Sequence, residues 1–198
     1  LWKDTDSGHN IRKTVFIECR SNYRTDGPEY MRPVGETEFS AKIAVESQKS
    51  LGDHAEVSAI ISYADITLEN LLDEILDAHE DAGRGLFRGI RHSGAFDENR
   101  DSFIDPIRVV AKNLFSRKDF RKGVRKLGLR GLNYESWLFH HQIKSFIDLA
   151  YAVPDTLLIM DHLGGPLGVG PYEGKQKEIY KKWKKDIDEL AKCENVFI

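Results

Sequence analysis

Two kinds of apolar pattern alternate along this chain with little exception, and that alternation limits its fold more than any other feature. Short strand-like runs occupy 14–19 (TVFIEC), 57–63 (VSAIISY), 86–91 (LFRGIR), 129–134 (LRGLNY), 156–162 (TLLIMDH) and 195–198 (NVFI). Amphipathic stretches lie between them. One runs from about 37 to 51 with Gly52 as its stop, and another covers 67–80 behind a Thr67 cap. A third covers 117–127 and stops at Gly128; 138–152 and 176–192 follow. Strands separated by helix-sized stretches need crossover connections, and crossovers produce a parallel sheet covered by helices.

An open doubly wound sheet and a closed barrel both satisfy this pattern. No Gly-rich phosphate fingerprint follows an early strand, and the strands recur at even spacing, so the barrel is the better reading. Eight parallel strands close such a barrel, whereas six leave two edges and an apolar interior open. The expected fold is therefore α/β, a (β/α)8 TIM-like barrel that is incomplete and supplies strands two to seven. It reads as one domain over 1–198, an internal piece of a longer protein. A piece of this kind is expected to be poorly soluble or to self-associate.

The 198 residues are 40% hydrophobic and 31% charged, and 29 basic residues nearly balance 32 acidic ones. No field singles out nucleic acid or an anionic membrane, and no run is long enough to span a bilayer. The basic stretch RKDFRKGVRK at 117–126 reads as the wet side of a helix whose other face carries Phe120, Val124 and Leu127. Cys19 and Cys193 stand far apart in no ligand-like spacing, which suggests a reducing, cytoplasmic setting.

In a parallel barrel the reacting groups gather at the C-terminal ends of the strands. Those ends carry Glu18 and Arg20, Tyr63 and Asp65, Arg91 and His92, Asn133 and Tyr134, and Asp161 and His162. His162 alone would read as a rim histidine satisfied by a carbonyl. With four other polar ends and Gly164-Gly165 behind it, a functional role is favoured, because glycines admit a ligand close to the backbone. Asp161 and His162 point to opposite faces, and Asp161 is assigned to structure. Arg91 suits a bidentate grip on a carboxylate. Glu18 reads equally as a site residue and as the partner of a neighbouring arginine. Tyr134 and Trp137 could wall a pocket or fill the core. His9, His54 and His79 are expected to face solvent, and His140-His141 to cap or pack a helix. The long segments 20–36 and 93–116 both follow strand ends, where active-site loops are built.

The ordered set TVFIEC, RPVGETEF (32–39), ISYADIT (61–67), FRGIRHSG (87–94), FRKGVRKLGL (120–129), Trp137 with Gln142, DHLGGPLGVGPY (161–172) and NVFI resembles the amidohydrolase-related family. Within it, the lactonase branch of L-fuconolactonase and pyrone dicarboxylate lactonase is the nearest match. The resemblance implies a distorted (β/α)8 barrel with a His-x-His on strand one, a histidine matching His162, and an aspartate on strand eight. The first and last have no counterpart in 1–198, so the piece by itself is expected to be inactive. LFRGIR lacks the bridging lysine of the family's binuclear members. One divalent cation such as zinc or manganese, with His162 among its ligands, and metal-free chemistry are both implied. The implied activity is opening of a lactone or cyclic ester of a sugar acid or aromatic catabolite by activated water. His162 would polarise the carbonyl, and Arg91, Glu18 and Tyr134 would bind substrate. A metal-dependent decarboxylase of an aromatic acid and a non-catalytic binding barrel are the alternatives. The implied partner is a small-molecule substrate, with neither nucleic acid nor membrane, and a homo-oligomer is allowed.

Overall fold

The computed structural model describes residues 2–49, 54–99 and 110–198. They divide into two compact units: Leu1–Asp65 with Asn70–Arg91, and Ile66–Glu69 with His92–Ile198. The expected helix stop at Gly52, and 100–109 of the long segment after the third strand, lie outside the described residues.

The first unit contains α1 (Trp2–Thr5), β1 (Lys13–Ile17), α2 (Val34–Gln48), β2 (Glu56–Ser62), α3 (Leu72–Gly83) and β3 (Phe87–Arg91). β2 lies in the middle and pairs in parallel with both neighbours, with Phe16 opposite Ile60 and Ile60 opposite Phe87. Parallel pairing forces each connection to cross one face of the sheet, and α2 and α3 make those crossings. α3 buries Leu72, Ile75, Leu76, His79 and Gly83, a stripe at the three-and-four spacing of a helix face. Its first turn begins at Leu72, so Thr67 and Leu68 precede it and Thr67 is not its cap.

His79 corrects an expectation. It does not face solvent: its exposure is 0%. The imidazole belongs to the buried stripe, stacks on Phe87 and pairs through Nδ1 with Thr37 Oγ1 at 2.8 Å. Thr37 Oγ1 in turn meets Ser62 Oγ at 2.6 Å, so three polar side chains from α2, β2 and α3 are linked inside an apolar layer.

The second unit contains α4 (Lys118–Leu129), β4 (Asn133–Ser136), α5 (Ile143–Ala152), β5 (Leu158–Met160), α6 (Gln176–Leu190) and β6 (Val196–Phe197). β5 pairs in parallel with β4 and β6, placing Tyr134, Leu158 and Val196 in one row and Glu135, Ile159 and Phe197 in the next. The ring of Tyr134 meets Phe120 of α4 edge-on at 5.5 Å, so its row faces the helices and the Glu135 row faces away from them. α4 buries Phe120, Val124 and Leu127, with its basic residues on the wet side as expected.

The fourth strand starts later than the sequence pattern suggests. Gly128 does not stop α4, which runs on to Leu129, a residue 90% exposed. A Cβ on Gly128 would lie 2.3 Å from Thr156 Oγ1, so this glycine admits a close neighbour. The stop is Gly131, at φ +69, three residues further on. Asn133 and Tyr134 therefore open β4, and Ser136 ends it.

The buried imidazole of His79 yields a pH prediction. Burial pulls its pKa down from 6.5 to about 4. Between those values the unfolded chain binds a proton that the native chain refuses, so the stabilisation is complete above pH 6.5 and is lost as pH falls toward 4. At about 1.4 kcal/mol per pH unit, the loss approaches about 3 kcal/mol. Urea melts of the protein and of His79→Gln between pH 7 and pH 4.5 should converge as pH falls; parallel curves would remove His79 as the cause.

Candidate functional site

The two units carry their polar strand ends separately. In the first, the backbone N–H of Glu18 bonds Ile61 O at 2.9 Å, continuing the β1–β2 ladder beyond the last residue of β1. Glu18 is buried at 7% exposure, with Arg91 Nε 3.3 Å from its Oε1, and Arg91 Nη2 donates to the Glu18 carbonyl. Two of the three residues expected to bind substrate thus hold each other, the arginine pairing that the sequence left open for Glu18. Glu36, in the first turn of α2, organises the loop that leads from β1 into that helix. Its Oε1 accepts the N–H groups of Cys19 at 3.0 Å and Ser21 at 2.7 Å, and the Ser21 hydroxyl at 3.2 Å. Glu36 was not singled out in the sequence; the signal is its place in the first turn of a helix behind a polar loop.

In the second unit, Tyr134 is fully buried, and its phenol donates to the His92 carbonyl at 2.7 Å. Burial, with Asp161 nearby, pushes its pKa well above the ordinary phenol value. This corrects the expectation that Tyr134 meets a ligand: at the start of β4 and on the helix side, it is core. Glu135, the next residue, is 5% exposed and lies on the opposite face of the sheet. The late start of the strand hid it.

β5 ends at Met160, and the chain then enters a conformation rare for its residues. His162 has φ 53° and ψ 34°, and Leu163 has φ 56° and ψ 28°, with Gly164 at φ 69° and Gly165 at φ 43°. Four successive residues are left-handed. Glycine adopts this without cost, but for His162 and Leu163 it costs roughly 1–2 kcal/mol each, because Cβ crowds the following carbonyl. Such a conformation persists only where neighbours hold it. Gly165 N donates to His162 O at 3.1 Å, His140 N donates to Gly165 O at 3.3 Å, and the indole Nε1 of Trp183 on α6 donates to Leu163 O at 2.7 Å. The outcome is an exposed His162 imidazole whose ring lies edge-on to Trp137 at 6.2 Å.

A second polar cluster ties three loops of this unit together. Asp97 accepts the hydroxyl of Tyr172 at 2.5 Å and the N–H of Asn99 at 2.8 Å, and His141 Nε2 lies 3.6 Å from its carboxylate. Burial raises the Asp97 carboxyl, but these hydrogen bonds outweigh it and hold the group below its ordinary value. Tyr172 is pushed up to about 12 by burial and by the Asp97 carboxylate. His140 is lowered by burial and by the neighbouring His141 and Lys182, and its Nδ1 accepts Leu167 N–H at 3.3 Å. Asp97, His141 and Tyr172 border a cavity of about 350 Å³ whose walls include Lys112, Phe115 and Gln142 but neither His140 nor His162. This hollow and the strained strand end are therefore different places.

Among the described residues no three His, Cys, Asp or Glu side chains are grouped to hold a metal ion, so His162 does not by itself make a metal site. No described helix is long and apolar enough to cross a membrane.

No family model matches the chain. An uncharacterized protein, y4mH, of Sinorhizobium fredii is 30% identical over 189 residues, which cover 94% of this chain and 54% of that protein. The chain thus spans about half the length of the curated relative it matches. Among solved structures, an amidohydrolase from Burkholderia multivorans with bound zinc superposes at a TM-score of 0.60 and 17% identity, over 94% of this chain and 68% of that one. An amidohydrolase of the same organism with bound HEPES gives 0.55 and 16%, over 94% and 67%. These likenesses establish the fold: parallel strands joined by helices, as in the TIM-like barrel of an amidohydrolase.

The left-handed turn makes opposite predictions at neighbouring positions. Leu163 is 55% exposed, so Leu163→Gly relieves strain without removing a buried side chain and should stabilise the protein by about 0.5–1 kcal/mol. A Cβ on Gly165 would lie 2.7 Å from Leu138 O, so Gly165→Ala should destabilise by about 2 kcal/mol or more. Thermal melts of both variants decide this, and a Leu163→Gly protein that melts clearly below the parent would contradict the strained turn.

Proposed function

We propose that the whole protein is a hydrolase of the amidohydrolase superfamily that opens a lactone or cyclic ester of a sugar acid or aromatic catabolite. The observation that carries this reading is His162, an imidazole held exposed by a left-handed turn immediately after a β-strand. Barrel enzymes place reacting groups at this end of their strands, and strain concentrates where a side chain must be presented rather than buried. The fold shared with the Burkholderia multivorans amidohydrolase supports the superfamily, and the ordered motifs through DHLGGPLGVGPY support its lactonase branch.

In this reading water adds to the ring carbonyl, negative charge develops on the carbonyl oxygen, and the bond from that carbon to the ring oxygen breaks. The ring oxygen leaves as a hydroxyl once protonated, and the product is a hydroxy acid. His162 donates a hydrogen bond to the carbonyl oxygen and stabilises the charge as it forms. A divalent cation such as the zinc in the Burkholderia multivorans crystals would polarise that same oxygen. It would need donors beyond those grouped among the described residues.

Acid release from a panel of sugar-acid and aromatic lactones, followed with the complete reading frame, tests the proposal. His162→Ala should lower kcat/KM by about a hundredfold or more. An unchanged rate would remove His162 from the reaction, and carbon dioxide as the product would identify a decarboxylase instead.

A further inference from the structure

We propose that Trp183 is a positioning residue for His162, acting through the backbone of Leu163; its effect on catalysis rests on the role given to His162 above. Hydrogen bonds pin the carbonyls of the left-handed turn. The carbonyl of His162 accepts Gly165 N–H at 3.1 Å, fixing the 162–163 peptide. The carbonyl of Leu163 accepts the Trp183 indole N–H at 2.7 Å, fixing the 163–164 peptide. The carbonyl of Gly165 accepts His140 N–H at 3.3 Å. The first of these bonds lies inside the turn and the third acts on a glycine. Trp183 thus holds a strained non-glycine residue from outside the turn.

Its position on α6 fits this role. Ile179, Asp186 and Leu190 are the buried residues of the helix, and Trp183 lies four residues after Ile179, on the edge of that stripe. From there an indole reaches across 20 residues of sequence to the turn. Tyr180 stacks on the ring at 5.7 Å and 29°, which limits its rotation. Without the indole N–H, Leu163 is free to relax to a right-handed or extended backbone. The 162–163 peptide must rotate with it, opening the bond from Gly165 to His162, and the imidazole leaves its place beside Trp137.

Trp183→Phe in the full-length protein keeps a ring at this position and deletes the donor. We expect the imidazole cross-peak of His162, assigned by its disappearance in His162→Gln, to move or broaden. We expect kcat on the lactone to fall about tenfold or more while KM changes less than about twofold. Adding Leu163→Gly removes the strain that the indole offsets, so the double variant should return the cross-peak toward its original position and recover part of kcat. If Trp183→Phe does not fold, the double variant is measured in its place, and a cross-peak matching the parent's then supports the proposal. A Trp183→Phe protein with a lower melting temperature but an unmoved His162 cross-peak would overturn it. If His162→Ala proves fully active, the hydrolase reading fails, and the cross-peak still decides whether Trp183 positions His162.

Discussion

Parallel strand pairing is the constraint on which the rest of this structure depends. Two adjacent strands that run the same way cannot be joined by a hairpin, so the chain must climb back over the sheet between them, and a helix is the compact way to do so. In the first unit α2 and α3 make these returns around β2, and in the second α5 and α6 make them around β5. Each return buries one sheet face, and all strands of a unit finish at the same edge. The Glu18–Arg91 pair at one unit's edge and the Asp161-His162 turn at the other's are consequences of that direction.

The alternation of periods was enough to recover the strands and the helices between them in their right order, though not the short α1 ahead of them, because parallel strands must be apolar on both faces while surface helices need only one apolar stripe. Boundaries were less legible where a residue serves two needs. Gly128 and Gly131 look alike in sequence, yet one admits the side chain of Thr156 and the other turns the chain, and a tertiary neighbour distinguishes them. The error carried into the site, because it made Tyr134 a strand end when it is the first buried residue of β4 and concealed Glu135. His79 failed for a related reason. Among Asp77, Glu80 and Asp81 it reads as polar surface, but its spacing from Ile75 and Leu76 places it on the buried face, where Thr37 supplies its partner.

At His162 the sequence carried half of the information. Two glycines after a titratable pair indicate that the chain turns where a strand should continue. They do not reveal that the histidine and the leucine share the glycines' conformation. That depends on Trp183 and His140, brought to the turn by α6 and by the short turn that leads into α5. Strain of this kind is a property of the assembled unit, because the local preference of His162 and Leu163 opposes it and distant donors impose it. The Asp97–Tyr172 bond was equally hidden, since it joins residues 75 positions apart.

A high-resolution crystal structure of the full-length protein tests the central claim most directly, through the backbone at 162 and 163. The expected result is positive φ at both residues, the Trp183 indole bonded to the carbonyl of Leu163, and the His162 imidazole open to a bound lactone or acid. Right-handed or extended backbone at both residues, with the imidazole packed beneath α6, would contradict it.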